Sequence, residues 1–197
     1  MVVIELTELW LCNNVISVLP DSIGQLQQLT TLSLTNNKLD TLCPGLCQLV
    51  NLRRLYVRGN GLTSLPNLMG QLLSLQHVDC GKNKLHAFPE VLTSMPRLVH
   101  LDFSSNYIPA LPPTLEALQN LVHLNLLDNR IPKPQPVLLR MPWVQVLGVP
   151  LSAENRGAQQ YTASLSEEHE VMNMLKSRAA ASLTAKLRRK KKKSNYL

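Results

Sequence analysis

The sequence predicts an α/β solenoid: a right-handed horseshoe whose concave wall is a parallel sheet of short strands, followed by a C-terminal helical basic tail. Three observations predict it. A motif recurs every 23 residues, at least six times, without an insertion. Asparagine returns at one phase of that period, at Asn14, Asn37, Asn60, Asn83, Asn106 and Asn129. Finally, 45% of the 197 residues are hydrophobic but only 4% aromatic, so the core must be built from aliphatic side chains at regular intervals.

Each copy opens with three apolar columns. The first holds Leu6, Leu29, Leu52, Leu75, Leu98 and Leu121, and the second Leu9, Leu32, Leu55, Val78, Leu101 and Leu124. The third holds Leu11, Leu34, Val57, Cys80, Phe103 and Leu126. The alternation Leu9-Trp10-Leu11 turns two side chains inward and one outward, which is a short strand with one buried face. Two further apolar columns follow the asparagine, and most copies then place a proline, at Pro20, Pro66, Pro89 and Pro112. A proline there suits the first position of a short helical turn, because its missing N–H costs nothing. Ile23, Leu46, Met69, Leu92 and Leu115 close the core on that convex side.

Written out, the unit is LxxLxLxxNxLxxLPxxLxxLxx, and it resembles the 23-residue class of intracellular leucine-rich repeats found in Ras-suppressor and Scribble-type proteins. The match covers residues 6 to about 131, with a degenerate seventh strand expected at Val144, Leu147 and Val149. The leucine-rich-repeat domain is thus expected over residues 1–150. The asparagine column is expected to be structural, its amides donating to and accepting from backbone groups that the inward turn leaves buried.

At the start, Val3 falls at the last apolar position of a preceding unit, so the chain is expected to begin mid-repeat and without a polar cap. At the other end, Pro132, Pro134 and Pro136 replace the usual turn, and Leu138, Met141 and Trp143 are expected to form a closing unit.

With the leucines committed to the core, binding must come from outward strand positions. Column one is Glu8, Thr31, Arg54, His77, His100 and His123. Column two is Trp10, Ser33, Tyr56, Asp79, Asp102 and Asn125, and column three is Cys12, Thr35, Arg58, Gly81, Ser104 and Leu127. Trp10, Arg54, Tyr56 and Arg58 gather toward the amino-terminal half, and aromatic and arginine side chains are the types that dominate binding hot spots. A straight column of His77, His100 and His123 beside Asp79 and Asp102 does not converge three ligands tetrahedrally, so no metal site is expected. A histidine pair there would make binding sensitive to pH near 6 to 7. No nucleophile–base arrangement and no phosphate-binding glycine loop is present, so neither an enzyme nor a cofactor is expected.

Residues 1–150 carry ten Lys or Arg against nine acids, whereas residues 151–197 carry ten against four, so six of the seven excess positive charges lie in the tail. There the sequence predicts a linker over 151–165, an amphipathic helix over 166–187 and a disordered polybasic tail over 188–197. Ser164 and Glu167 form a capping box, and Val171, Leu175, Ala179, Leu183 and Leu187 recur every four residues. Arg188, Arg189, Lys190, Lys191, Lys192 and Lys193 suit nuclear import, anionic lipid or nonspecific nucleic-acid contact. Sequence-specific nucleic-acid recognition is not expected. The start of the chain lacks the pattern of a secretory signal, no run of about 18 uncharged apolar residues occurs, and Cys12, Cys43, Cys47 and Cys80 are unpaired in spacing. These features predict a soluble cytoplasmic or nuclear scaffold with reduced thiols and a protein partner.

Overall fold

A computed structural model describes residues 5–132 and 135–149. These fall within the first of the two units into which the chain divides, Met1–Ser152. The expected linker, amphipathic helix and polybasic tail, and Val3 at the start, lie outside the described residues.

Seven three-residue strands form one open parallel sheet in chain order: β1 (Glu8–Trp10), β2 (Thr31–Ser33), β3 (Arg54–Tyr56), β4 (His77–Asp79), β5 (His100–Asp102), β6 (His123–Asn125) and β7 (Gln145–Leu147). From β1 to β6 the register advances by one repeat at each step, so Leu9, Leu32, Leu55, Val78, Leu101 and Leu124 face one another across neighbouring strands. The strands are short because each crosses only the inner wall of its coil. At a strand spacing of about 4.8 Å the seven span roughly 30 Å.

The last step breaks the period. Leu124 pairs with Val146, not Leu147, and Asn125 pairs with Leu147. The seventh unit is therefore one residue short, and Leu147, expected in the inward column, stands in the outward one. The shortening accompanies Gly148, whose φ of +82° takes the chain through a conformation that L side chains rarely adopt. A Cβ on Gly148 would collide with the backbone of Leu126 and Leu127.

The outer wall is made of 3₁₀ turns at Asp21–Gln25, Pro44–Gln48, Asn67–Gln71, Glu90–Ser94 and Pro113–Ala117, with one short α-helix, α1 (Pro136–Leu139). The prolines correct the sequence expectation by one position. Pro20, Pro66, Pro89 and Pro112 precede the turn in extended conformation, with φ between −63° and −71°. The ring imposes that φ, and the proline carbonyl then accepts the turn's first hydrogen bond, as from the Ile23 N–H to Pro20 at 3.0 Å. The tighter 3₁₀ winding, with i to i+3 bonds, lets a single turn cover each coil.

Between the walls lies one aliphatic core. Leu32, Leu55, Leu46, Met69, Leu92 and Leu115 are all fully buried. Burying such a side chain stabilises by roughly 1.5–3 kcal/mol relative to leaving it exposed, and the 23-residue period repeats that gain in every coil. The first coil shares less in it, for Leu6 is 37% exposed and Leu9 and Leu11 are only partly buried. At the other end Val137, Leu138 and Met141 close the core, whereas Trp143, expected to join them, remains 42% exposed.

The asparagines bind coil to coil. Asn83 Nδ2 donates to the carbonyls of Val57 one coil back and of Cys80 in its own coil, at 3.0 and 2.9 Å, while its Oδ1 accepts from the Leu62 N–H at 3.0 Å. Asn37, Asn60, Asn106 and Asn129 repeat this pattern. Among the described residues, Asn14 donates only to carbonyls of its own coil, Leu11 and Cys12. The residue before each ladder asparagine, from Asn13 through Asn36, Gly59, Lys82 and Ser105 to Asp128, has φ between +50° and +68°. That left-handed step turns the chain inward and sets the amide among the backbone groups it serves.

Candidate interaction surface

The short strands fix the outward side chains in three straight columns, because parallel register places Glu8, Thr31, Arg54, His77, His100, His123 and Gln145 on successive rungs. Column two runs through Trp10, Ser33, Tyr56, Asp79, Asp102, Asn125 and Leu147.

On β2 both outward residues are small and fully shielded: Thr31 is 0% and Ser33 2% exposed. The reason is that their larger neighbours lean over them. Trp10 and Tyr56, two rungs apart, stack across Ser33 with ring centroids 6.1 Å apart and planes within 19°. Burial pushes the Tyr56 phenol above its ordinary pKa, offset in part by the Arg54 guanidinium. Arg54 Nη1 reaches the Thr31 hydroxyl at 3.5 Å, and Trp10 Nε1 donates to Glu8 at 3.2 Å. Trp10 still presents 47% of its surface, and Arg54 is exposed.

Arg58 does not join this group. Its guanidinium points toward the carboxyl-terminal half, with Nη1 3.7 Å from Asp79 and from Asp102 and donating to Ser104 Oγ at 3.0 Å. The route runs over Gly81, where any Cβ would strike the Arg58 Nη1. Thus the four residues expected to gather divide into Trp10, Arg54 and Tyr56 on one side and Arg58 on the other. The signal for this was in column three, where glycine alone separates Arg58 from Ser104.

The acids of column two are partly occupied. Asp79 accepts from the Gly81 N–H at 3.0 Å, and Asp102 from the Ser104 N–H at 2.8 Å and hydroxyl at 2.6 Å. Asn125 accepts from Leu127 in the same way at 3.1 Å and donates to Asp102 at 3.0 Å. Side chains that cap the backbone two residues on thereby hold the strand ends.

His77, His100 and His123 form a continuous stack. Successive centroids are 4.4 and 4.5 Å apart and the planes tilt by 15° and 13°. Parallel rings do not aim three nitrogens at one point, and among the described residues no group of three or more His, Cys, Asp or Glu could hold a metal ion. Beyond the histidines the surface turns apolar, with Leu127 45% exposed and Leu147 partly so. Leu127 was expected in the third outward column, but the outward place of Leu147 was not legible beforehand, because it depends on the one-residue shortening before β7.

Comparison with known proteins accords with this geometry. A family model described as a leucine-rich repeat region matches residues 3–98. Among solved structures, a leucine-rich-repeat protein of Leptospira interrogans is 33% identical with a TM-score of 0.67, over 72% of this chain and 36% of that one. Internalin C2 of Listeria monocytogenes is 28% identical with a TM-score of 0.61, over 74% of this chain and 61% of that one. A second Listeria monocytogenes internalin, 20% identical with a TM-score of 0.64 over 73% of this chain and 41% of that one, is alike in fold alone. The chain therefore spans between about a third and three fifths of these proteins' lengths. No curated protein matches it significantly. The described residues form a leucine-rich-repeat solenoid.

Proposed function

We propose that this leucine-rich-repeat solenoid is a non-enzymatic scaffold that grips a protein partner with its concave sheet. Leucine-rich-repeat domains in general mediate protein–protein contact, and the 23-residue unit suits the Ras-suppressor and Scribble-type class. One observation carries the reading. The aliphatic columns are consumed in the core, while the outward columns leave a continuous surface on which Trp10 and Arg54 are exposed toward the amino-terminal end. Trp10, Arg54 and Tyr56 are the anchors; His77, Asp79, His100, Asp102 and His123 line the path, and Arg58 shapes it. Reduced thiols fit a cytoplasmic or nuclear setting, and Cys12, Cys43, Cys47 and Cys80 are all free.

The charge distribution favours a second reading, a membrane-peripheral or nuclear adaptor in which Arg188–Lys193 supplies most of the affinity. Capture by the full chain separates the two. Partners retained by wild type, lost with Trp10→Ala/Arg54→Glu and kept when residues 188–193 are changed to glutamine support the concave face. The reverse pattern, with binding that collapses at moderate salt, supports the tail.

A further inference from the structure

We propose that the flank of the solenoid carrying Lys82, Lys84, Tyr107 and Arg130 is a second docking surface, built for an acidic peptide segment. It is distinct from the outward strand columns, since Lys84, Tyr107 and Arg130 directly follow the ladder asparagines Asn83, Asn106 and Asn129, and Lys82 directly precedes the first of these.

The backbone fixes the row. Lys84, Tyr107 and Arg130 occupy the same place in three successive coils, and each N–H donates to the coil before: to Leu62 at 2.9 Å, Leu85 at 2.8 Å and Ile108 at 2.9 Å. On that rigid row Arg130 lies over the Tyr107 ring, its guanidinium carbon 4.4 Å from the centroid. His86, from the coil before, meets the same ring at 5.1 Å. The aromatic thus holds the guanidinium in place through its π face and leaves the N–H fork to the solvent.

These cations are spare. Among the described residues the ion pairs use Arg58 and Arg140, and none uses Lys82, Lys84 or Arg130. All three are exposed. The acids that come nearest in register are Asp128, which accepts from the Ser105 hydroxyl at 3.2 Å, and Asp40, beside Gly61. Lys82, Lys84 and Arg130 against Asp128 and Asp40 still leave a surplus of one positive charge on this stretch.

Charge complementarity names the partner as anionic, and the ring names its kind. Nucleic acid in single-stranded form needs an open aromatic face for base stacking, but Tyr107 is flanked by Arg130 from one coil and His86 from another. Carboxylates need only the N–H edges. Lys84 and Arg130 are two coils apart, about 10 Å, which an extended peptide spans in about three residues. Glutamates or aspartates at i and i+3 fit that interval.

The test is an amide-resolved NMR titration of the full chain with a hexaglutamate peptide at low and moderate salt. The expected result is saturable shifts centred on Lys84, Tyr107 and Arg130. Lys84→Glu/Arg130→Glu should weaken binding at least tenfold, Tyr107→Ala severalfold, and Tyr107→Phe hardly at all, because phenylalanine keeps the π face. Shifts centred elsewhere, or a double variant that binds within twofold of wild type, would overturn the proposal by moving the contact to the polybasic run. A six-residue oligothymidine that binds the same row more tightly would overturn the assignment to a peptide. If the double variant does not fold, the wild-type map and Tyr107→Phe still decide.

Discussion

Arg58 and Ser104 are joined by a 3.0 Å hydrogen bond that passes over the coil between them. Gly81 makes the crossing possible, and Asp79 and Asp102 line it. Two aspartates on neighbouring rungs would repel across the strand spacing, and the guanidinium set between them offsets that repulsion. Arg58 is thus a clamp across three coils as well as a feature of the surface.

Removal of the clamp should show coupling. Arg58→Ala is expected to cost about 1 kcal/mol, as partly exposed charged hydrogen bonds do. Gly81→Ala should cost a similar amount in wild type but less than about 0.5 kcal/mol in the Arg58→Ala background, because the sites share one contact. A double-mutant cycle by urea unfolding measures this, and strict additivity would refute it.

The ladder amides should differ by position. Asn83→Ala leaves buried backbone groups of two coils without partners and is expected to lose about 1–3 kcal/mol. Asn14→Ala removes only donations to Leu11 and Cys12 within an exposed first coil and should lose well under half as much. Equal losses in denaturation would show that the link between coils adds nothing.

The left-handed column offers a contrast at one phase of the repeat. Gly59→Ala puts a side chain at φ +68°, against Asn36 Oδ1, and is expected to cost about 1–2 kcal/mol. Lys82→Ala exchanges one L residue for another at φ +50° and should change stability by less than about 0.5 kcal/mol. Thermal unfolding of the two variants checks this.

Alkaline conditions should weaken the fold through Cys80. Full burial holds its thiol well above the ordinary value of 9.0, with the carboxylates of Asp79 and Asp102 adding to the effect. The native state keeps a proton that the unfolded chain gives up, so this stability is complete below the unfolded pKa. It falls as pH rises above that value, by about 1.4 kcal/mol per unit for one proton, until the native thiol also ionises. Cys80→Val should remove this part of the slope; an unaltered profile above pH 9 would contradict it. In native protein Cys80 should also resist alkylation at pH 8.

The period, the inward columns, the asparagine ladder and the place of each strand up to β6 were legible in the sequence. They follow from local rules, since a fixed repeat forces each coil to bury the same side chains against the next. The columns themselves were legible too, because parallel register converts a spacing of 23 into a straight row. What a residue does within its row was not. Arg58 turns away from Tyr56, Trp10 leans across Ser33, and the histidines stack, because each side chain responds to the size and charge of neighbours one or two coils off. The one-residue shortening before β7 likewise departs from the repeat, in the segment where Val137, Leu138 and Met141 close the core. Sequence by itself determined the scaffold, whose cause is periodic and local; tertiary structure decided how the surface side chains are arranged, because the contacts that turn them from coil to coil lie 21 to 46 residues apart in the chain.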